Sequence, residues 1–121
     1  MKYKPYFLED VKSSAERKLF TVISTFAGGG GSSTGYKLAG GEILAVNEFV
    51  DAALDTYHAN YPNTPSLTGD IKDLKGQDFL DLTGLKKGEL DLLDGSPPCS
   101  AFSISGSREK GIFTIDYTNI K

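Results

Sequence analysis

The 121-residue sequence holds one cysteine, Cys99, placed directly after Pro97-Pro98 and shortly after the apolar run Leu90-Asp91-Leu92-Leu93. Proline fixes φ and lacks an N–H, so neither a helix nor a central strand runs through that pair. The stretch Asp94-Gly95-Ser96-Pro97-Pro98-Cys99-Ser100 therefore predicts a buried strand ending at Asp94. A rigid turn then presents the thiol at the strand's carboxyl end, where open α/β sheets bind ligands. Small polar neighbours, Ser96, Ser100 and Ser103, suit a nucleophile at the mouth of a sheet. The other reading is a small buried hydrophobe, as free cysteines often are. Local context leaves both open.

A second group of residues could hold a ligand. Phe26-Ala27-Gly28-Gly29-Gly30-Gly31 follows a strand candidate and precedes a possible helix at Ser33–Leu38, with Ser32 or Ser33 as its N-cap. In that context a glycine run serves close approach of backbone to a ligand better than it serves as a flexible linker. The phosphate signatures are incomplete, because Ser33 stands where G-x-G-x-x-G needs glycine and Tyr36 where a P-loop needs lysine. A nucleoside without a pyrophosphate fits better. Glu48, about twenty residues on, could offer two acceptors to a ribose diol, or be a solvated acid at a strand–helix junction. Phe49 could stack on an adenine ring or cap the core. Asp70 could accept from an adenine amino group, or cap the helix that follows it.

These residues require a particular set of elements. Strand candidates are Leu19–Ser24, Gly41–Val46, Ser66–Thr68 and Glu89–Asp94. A helix is expected from Asp51 to Ala59, with Val50, Ala53, Leu54 and Tyr57 on the buried face and His58 exposed. Another is expected from Asp73 to Leu82, with Leu74, Phe79 and Leu82 facing the sheet. Glu9 to Lys18 reads as a short helix with a solvated charged face. The alternation β-α-β-α-β-α-β implies an α/β fold, a mostly parallel sheet with flanking helices.

Composition bounds the partners. Length allows one domain at most. The formal net charge of −3 is a poor footprint for gripping nucleic acid unaided. No run approaches a membrane helix, and Met1-Lys2-Tyr3-Lys4-Pro5 lacks the apolar core of a signal peptide. One histidine and one cysteine far apart argue against a zinc site, and one cysteine forbids an internal disulfide. Together these predict a cytoplasmic protein that neither spans nor binds a membrane.

Taken in order, these stretches over residues 19–107 resemble the amino-terminal part of the DNA (cytosine-5)-methyltransferase family. Phe26-Ala27-Gly28-Gly29-Gly30-Gly31 resembles the family's F-x-G-x-G-G motif, Asn47-Glu48-Phe49 its second and Gly69-Asp70-Ile71 its third. Gly95-Ser96-Pro97-Pro98-Cys99-Ser100-Ala101-Phe102-Ser103 resembles its catalytic Pro-Cys motif, with Ser100 where glutamine is common. The resemblance implies a Rossmann-like methyltransferase fold, present only in part. It implies an S-adenosylmethionine site of Phe26, Ala27, Gly28, Gly30, Gly31, Glu48, Phe49, Asp70 and Ile71. Cys99 becomes the nucleophile, on a turn shaped by Pro98, and Ser103, Ser105 and Arg108 fall to DNA contact. The thiolate would add to C6 of a cytosine turned out of the duplex. C5 would then take the methyl group, and the thiolate would leave as the C5 proton is lost.

The sequence has no Glu-Asn-Val, nor the Q-x-R-x-R motif, target-recognition region and closing segment of the family. The expected organisation is thus an extension at 1–18, an S-adenosylmethionine-binding and catalytic subdomain at 19–107, and a loop and tail at 108–121 that the resemblance does not place. Residues 112–117 read as a strand. Such a chain is expected to be inactive alone, to reach DNA through a region it lacks, and to pair with a second polypeptide or with itself. Two alternatives are a non-enzymatic or split-subunit S-adenosylmethionine-binding module, and a nucleotide-dependent oxidoreductase, which Ser33 and the Pro-Pro-Cys turn disfavour.

Overall fold

The computed structural model describes residues 2–98. Helix α1 (Leu8–Ala15) leads into strand β1 (Phe20–Thr25), helix α2 (Gly31–Leu38) and strand β2 (Gly41–Glu48). Helix α3 (Asp51–Asn60), strand β3 (Ser66–Thr68), a 3-10 turn (Ile71–Asp73), helix α4 (Gly76–Thr83) and strand β4 (Leu92–Gly95) follow. The four strands are all parallel, in the order β3-β2-β1-β4. The parallel sheet is the one expected of the alternating pattern, and the arrangement is Rossmann-like, as the family resemblance implied.

Successive residues of β1 point to opposite faces, so Val22 and Ile23, both fully buried, serve two different cores. Val22 packs with Val11, Ile43, Val46, Leu54, Tyr57 and Tyr61. Ile23 packs with Ala45, Ile71, Phe79 and Leu90 on the other face. Full burial of each such aliphatic side chain contributes roughly 1.5–3 kcal/mol. The register between β1 and β2 slips between Val22 and Ile23, whose partners are Ile43 and Ala45. Leu44 is the residue passed over, a bulge that returns β2 to the correct face.

The charged face of α1 is solvated as expected, yet Val11 is only 1% exposed and lies in the first core. The amino-terminal segment is therefore joined to the sheet. Asp10 caps α1 by accepting the Phe7 N–H at 2.7 Å.

Several expected boundaries move, each for a local reason. α2 begins at Gly31 with left-handed Gly30 (φ 105°) as N-cap, not at Ser32 or Ser33. Thr34 N–H donates to Gly30 O at 2.9 Å, and the Ser33 hydroxyl accepts from Tyr57 at 2.8 Å instead of capping. The single helix expected over Asp73–Leu82 is a 3-10 turn and a separate α4. Lys75 is extended there, and Asp78 accepts its N–H at 2.7 Å, which starts the second helix afresh. Phe79 and Leu80 are its buried pair, while Leu82 is 39% exposed. Val50, expected on the buried face of α3, is 52% exposed at that helix's N-cap. His58 is half-buried, edge-on to Tyr57. β4 starts at Leu92 and not Glu89, because the Asp91 carboxylate takes the Thr21 N–H at 2.8 Å.

Candidate functional site

The strand order reverses direction at β1, which has β2 on one side and β4 on the other. A crevice outside the carboxyl ends of the strands is expected there. A cavity of about 240 Å³ occupies it, lined by Phe26, Asn47, Glu48, Phe49, Val50, Asp70, Ile71 and Pro98. The lining comes from the last residues of β2 and from the chain just beyond β1, β2, β3 and β4. Its size suits a nucleoside moiety better than a large ligand, since drug-sized pockets run from about 300 to 1,000 Å³.

The turn after β1 is tightly determined. Phe26 has φ 55°, in the left-handed region that non-glycine residues seldom occupy. Gly28 (φ 57°) and Gly30 (φ 105°) follow. At Gly30 a Cβ would lie 3.2 Å from the rings of both Tyr57 and Tyr61, so glycine is required twice over there, by conformation and by packing. The Ala27 N–H donates to Asn47 O at 3.1 Å, which joins this turn to the end of β2. Ala27 is buried, and Gly31 opens α2.

Glu48 is 9% exposed and is not a solvated junction acid. Its Oε2 accepts the Gly28 N–H at 2.7 Å and its Oε1 the Val50 N–H at 3.0 Å. Each oxygen keeps a further lone pair for a ligand hydroxyl. Phe49 is 65% exposed beside the opening, so it does not cap the core. Asp70 lines the cavity and caps the 3-10 turn. Its Oδ1 accepts the Lys72 N–H at 3.0 Å, and its Oδ2 lies 3.2 Å from Lys72 Nζ. The backbone hydrogen bond from Lys72, aided by that ammonium, holds the Asp70 carboxyl below the usual carboxylate range. Ile71 is buried and forms an apolar wall.

Asn47 was not singled out by sequence reasoning. It is 2% exposed, and its amide donates to Leu67 O at 2.9 Å and Gly69 O at 3.1 Å. It thereby fixes the end of β3 and the approach of Asp70. Its position immediately before Glu48 is the only signal the sequence carries for it. Ser24 and Thr25, fully buried hydroxyls on β1, were missed too; they bond to Asp94.

Pro98 borders the cavity. Cys99, Ser103, Ser105 and Arg108, and the strand expected at 112–117, lie outside the described residues. Among the described residues, no group of three or more His, Cys, Asp and Glu is arranged to hold a metal ion. No described helix is long and apolar enough to cross a membrane.

The fold defines a Rossmann-like protein with a cavity at the carboxyl edge of a parallel sheet. Residues 20–113 match the family of C-5 cytosine-specific DNA methylases, and the chain belongs to that family. It is 36% identical over 104 residues to the type II methyltransferase M.NgoPII of Neisseria gonorrhoeae, covering 82% of this chain and 28% of that protein. M.AquIA of Picosynechococcus is 32% identical over 110 residues, with coverage of 87% and 43%. M.DdeI of Desulfomicrobium norvegicum is 39% identical over 90 residues, with coverage of 74% and 20%. The chain thus spans less than half the length of these relatives. Enzymes of this family are transferases that act on DNA and use S-adenosylmethionine as methyl donor. The residues present fit that group: a carboxylate with free lone pairs, two aromatic rings, an apolar wall and a second carboxylate around one cavity.

Proposed function

We propose that this chain forms the S-adenosylmethionine-binding and nucleophile-bearing part of an enzyme that methylates C5 of cytosine in DNA. The observation that carries the reading is the convergence of Phe26, Glu48, Asp70 and Pro98, from the ends of four different strands, on one cavity. Glu48 would accept from the ribose hydroxyls, Phe26 and Phe49 would flank the adenine ring, and Asp70 would accept from its amino group. The glycine turn, with Ala27, Gly28, Gly30 and Gly31, would admit the rest of the cofactor to the backbone. When bound, S-adenosylmethionine supplies an electrophilic methyl group. Cys99, one residue beyond Pro98, would donate its thiolate electron pair to C6 of the extruded cytosine, so that C5 becomes the nucleophile. The thiolate would be regained when the C5 proton departs and the sulfur–C6 bond breaks. Ser103, Ser105 and Arg108 would contact DNA.

The short span relative to its family favours a second statement. The chain alone binds the cofactor without turnover, and DNA recognition comes from further sequence or a companion polypeptide. Calorimetric titration with S-adenosylmethionine, with NAD as control, tests the reading. Saturable binding should weaken at least about tenfold in Glu48→Ala, about 1.4 kcal/mol for loss of a charge-assisted hydrogen-bonding group. Preferential binding of NAD, or Glu48→Ala and Asp70→Ala binding as tightly as wild type, would refute it. Turnover on unmethylated DNA by this chain alone would refute the second statement only.

A further inference from the structure

The carboxyl end of β1 carries an unexpected feature, two fully buried hydroxyls, Ser24 and Thr25, in the middle of the sheet. Both are directed at one residue of the neighbouring strand. Ser24 Oγ donates to Asp94 Oδ2 at 2.9 Å, and Thr25 Oγ1 donates to Asp94 O at 3.0 Å. In the parallel register Ser24 faces Asp94 and Thr25 faces Gly95. The Tyr36 phenol of α2 shares this carboxylate; its pKa is raised, first by partial burial and then by the Asp94 charge and hydrogen bond. A side-chain-to-main-chain bond between adjacent parallel strands adds a tether that the ladder alone does not supply. Its location matters more than its strength. Thr25 immediately precedes Phe26, and Asp94 immediately precedes Gly95-Ser96-Pro97-Pro98. Phe26 and Pro98 are two walls of the cavity.

We infer that Asp94, held by Ser24 and Thr25, is a positioning residue that sets residues 95–98 against the turn at Phe26. The inference rests on the functional reading above, for it treats those two segments as the nucleophile and cofactor turns. Toward Ser24 the carboxylate acts as a hydrogen-bond acceptor. Asparagine, which keeps an acceptor oxygen for Ser24, should therefore replace it, and alanine should not.

Cys99, the only thiol in the chain, directly follows Pro98 in sequence, so alkylation by iodoacetamide, read by mass spectrometry between about pH 6 and about pH 10, reports next to that segment alone. The proteins compared are the full chain as wild type, Ser24→Ala, Asp94→Ala and Asp94→Asn, each at a temperature where circular dichroism reports it folded. Wild type and Asp94→Asn should share one profile. Asp94→Ala and Ser24→Ala should depart from that profile, with a plateau rate changed at least about threefold. A role confined to global stability would lower the melting temperature and leave the profile of the folded protein unchanged. One common profile for all four proteins, or Asp94→Asn behaving as Asp94→Ala, overturns the inference. Titration of wild type with S-adenosylhomocysteine is a separate arm. Failure to bind there refutes the functional reading, whereas the alkylation comparison needs no ligand and judges the tether by itself.

Discussion

Replacing Asn47 by aspartate keeps the shape of a 2%-exposed side chain and removes both its donors. In the native protein those donors satisfy Leu67 O and Gly69 O at 2.9 and 3.1 Å. A carboxylate in their place would face two carbonyl oxygens in a buried position, which strongly favours the protonated acid in the folded variant. With an unfolded-state value of about 3.9, holding that proton at pH 7 costs about three units at about 1.4 kcal/mol each, or about 4 kcal/mol. Near pH 4.5 the same cost falls to about 1 kcal/mol. The protonated acid restores one donor of two, so a further loss of about 1 kcal/mol applies at both pH values. The folded-state pKa of the introduced acid is raised. Its stability is therefore retained below about 3.9 and lost as pH climbs toward the folded value. Urea unfolding followed by circular dichroism should find Asn47→Asp weaker than wild type by about 5 kcal/mol near pH 7 and by about 2 kcal/mol near pH 4.5. For a domain with 5–15 kcal/mol in total, the first figure is close to loss of the fold. Asn47→Leu, which bares both carbonyls without adding a charge, should show a deficit of about 2–3 kcal/mol at either pH. A deficit in Asn47→Asp that is equal at the two pH values, or under about 1 kcal/mol at pH 7, would refute the view that Asn47 is a buried double donor.

Two further expectations follow from the same packing. Gly28→Ala, with φ 57° and open space around its Cβ, should cost about 1 kcal/mol for the left-handed backbone alone. Gly30→Ala should cost about 1–2 kcal/mol more in thermal melts, because its Cβ meets Tyr57 and Tyr61 at 3.2 Å; equal losses at the two positions would contradict the packing. Burial pushes the Tyr57 phenol up to about 12, opposed in part by its hydrogen bond to Ser33. The raised value means stability present below about pH 10 and lost as pH rises toward about 12, up to roughly 3 kcal/mol. Denaturation across that range should show this component in wild type, and Tyr57→Phe should lack it.

Local chemistry made much of this protein legible in its sequence. β-branched runs bounded by glycine marked the strands, and their alternation with helical spacing required a parallel sheet. The same logic placed Phe26, Glu48, Asp70 and Pro98 at strand ends; the fold brings them around one cavity. Ser33, the departure from a dinucleotide fingerprint, was visible too. Only the fold showed its use, as the acceptor for a buried tyrosine hydroxyl.

What the tertiary structure decided were the long-range matters. Asn47 reads in sequence as a neutral strand residue; its partners lie twenty and more positions away, beyond a helix. Ser24 and Thr25 interrupt an apolar strand, and nothing nearby in the chain explains them until β4 brings Asp94 alongside, seventy residues from Ser24. Glu48 is equally plausible in sequence as a solvated acid, and only the folded turn presents two backbone N–H groups to it. Propensity and periodicity act over a few residues and set which elements form. Hydrogen bonds between distant backbone and side-chain groups depend on which strands become neighbours, and that is settled by the burial of both faces of the sheet together.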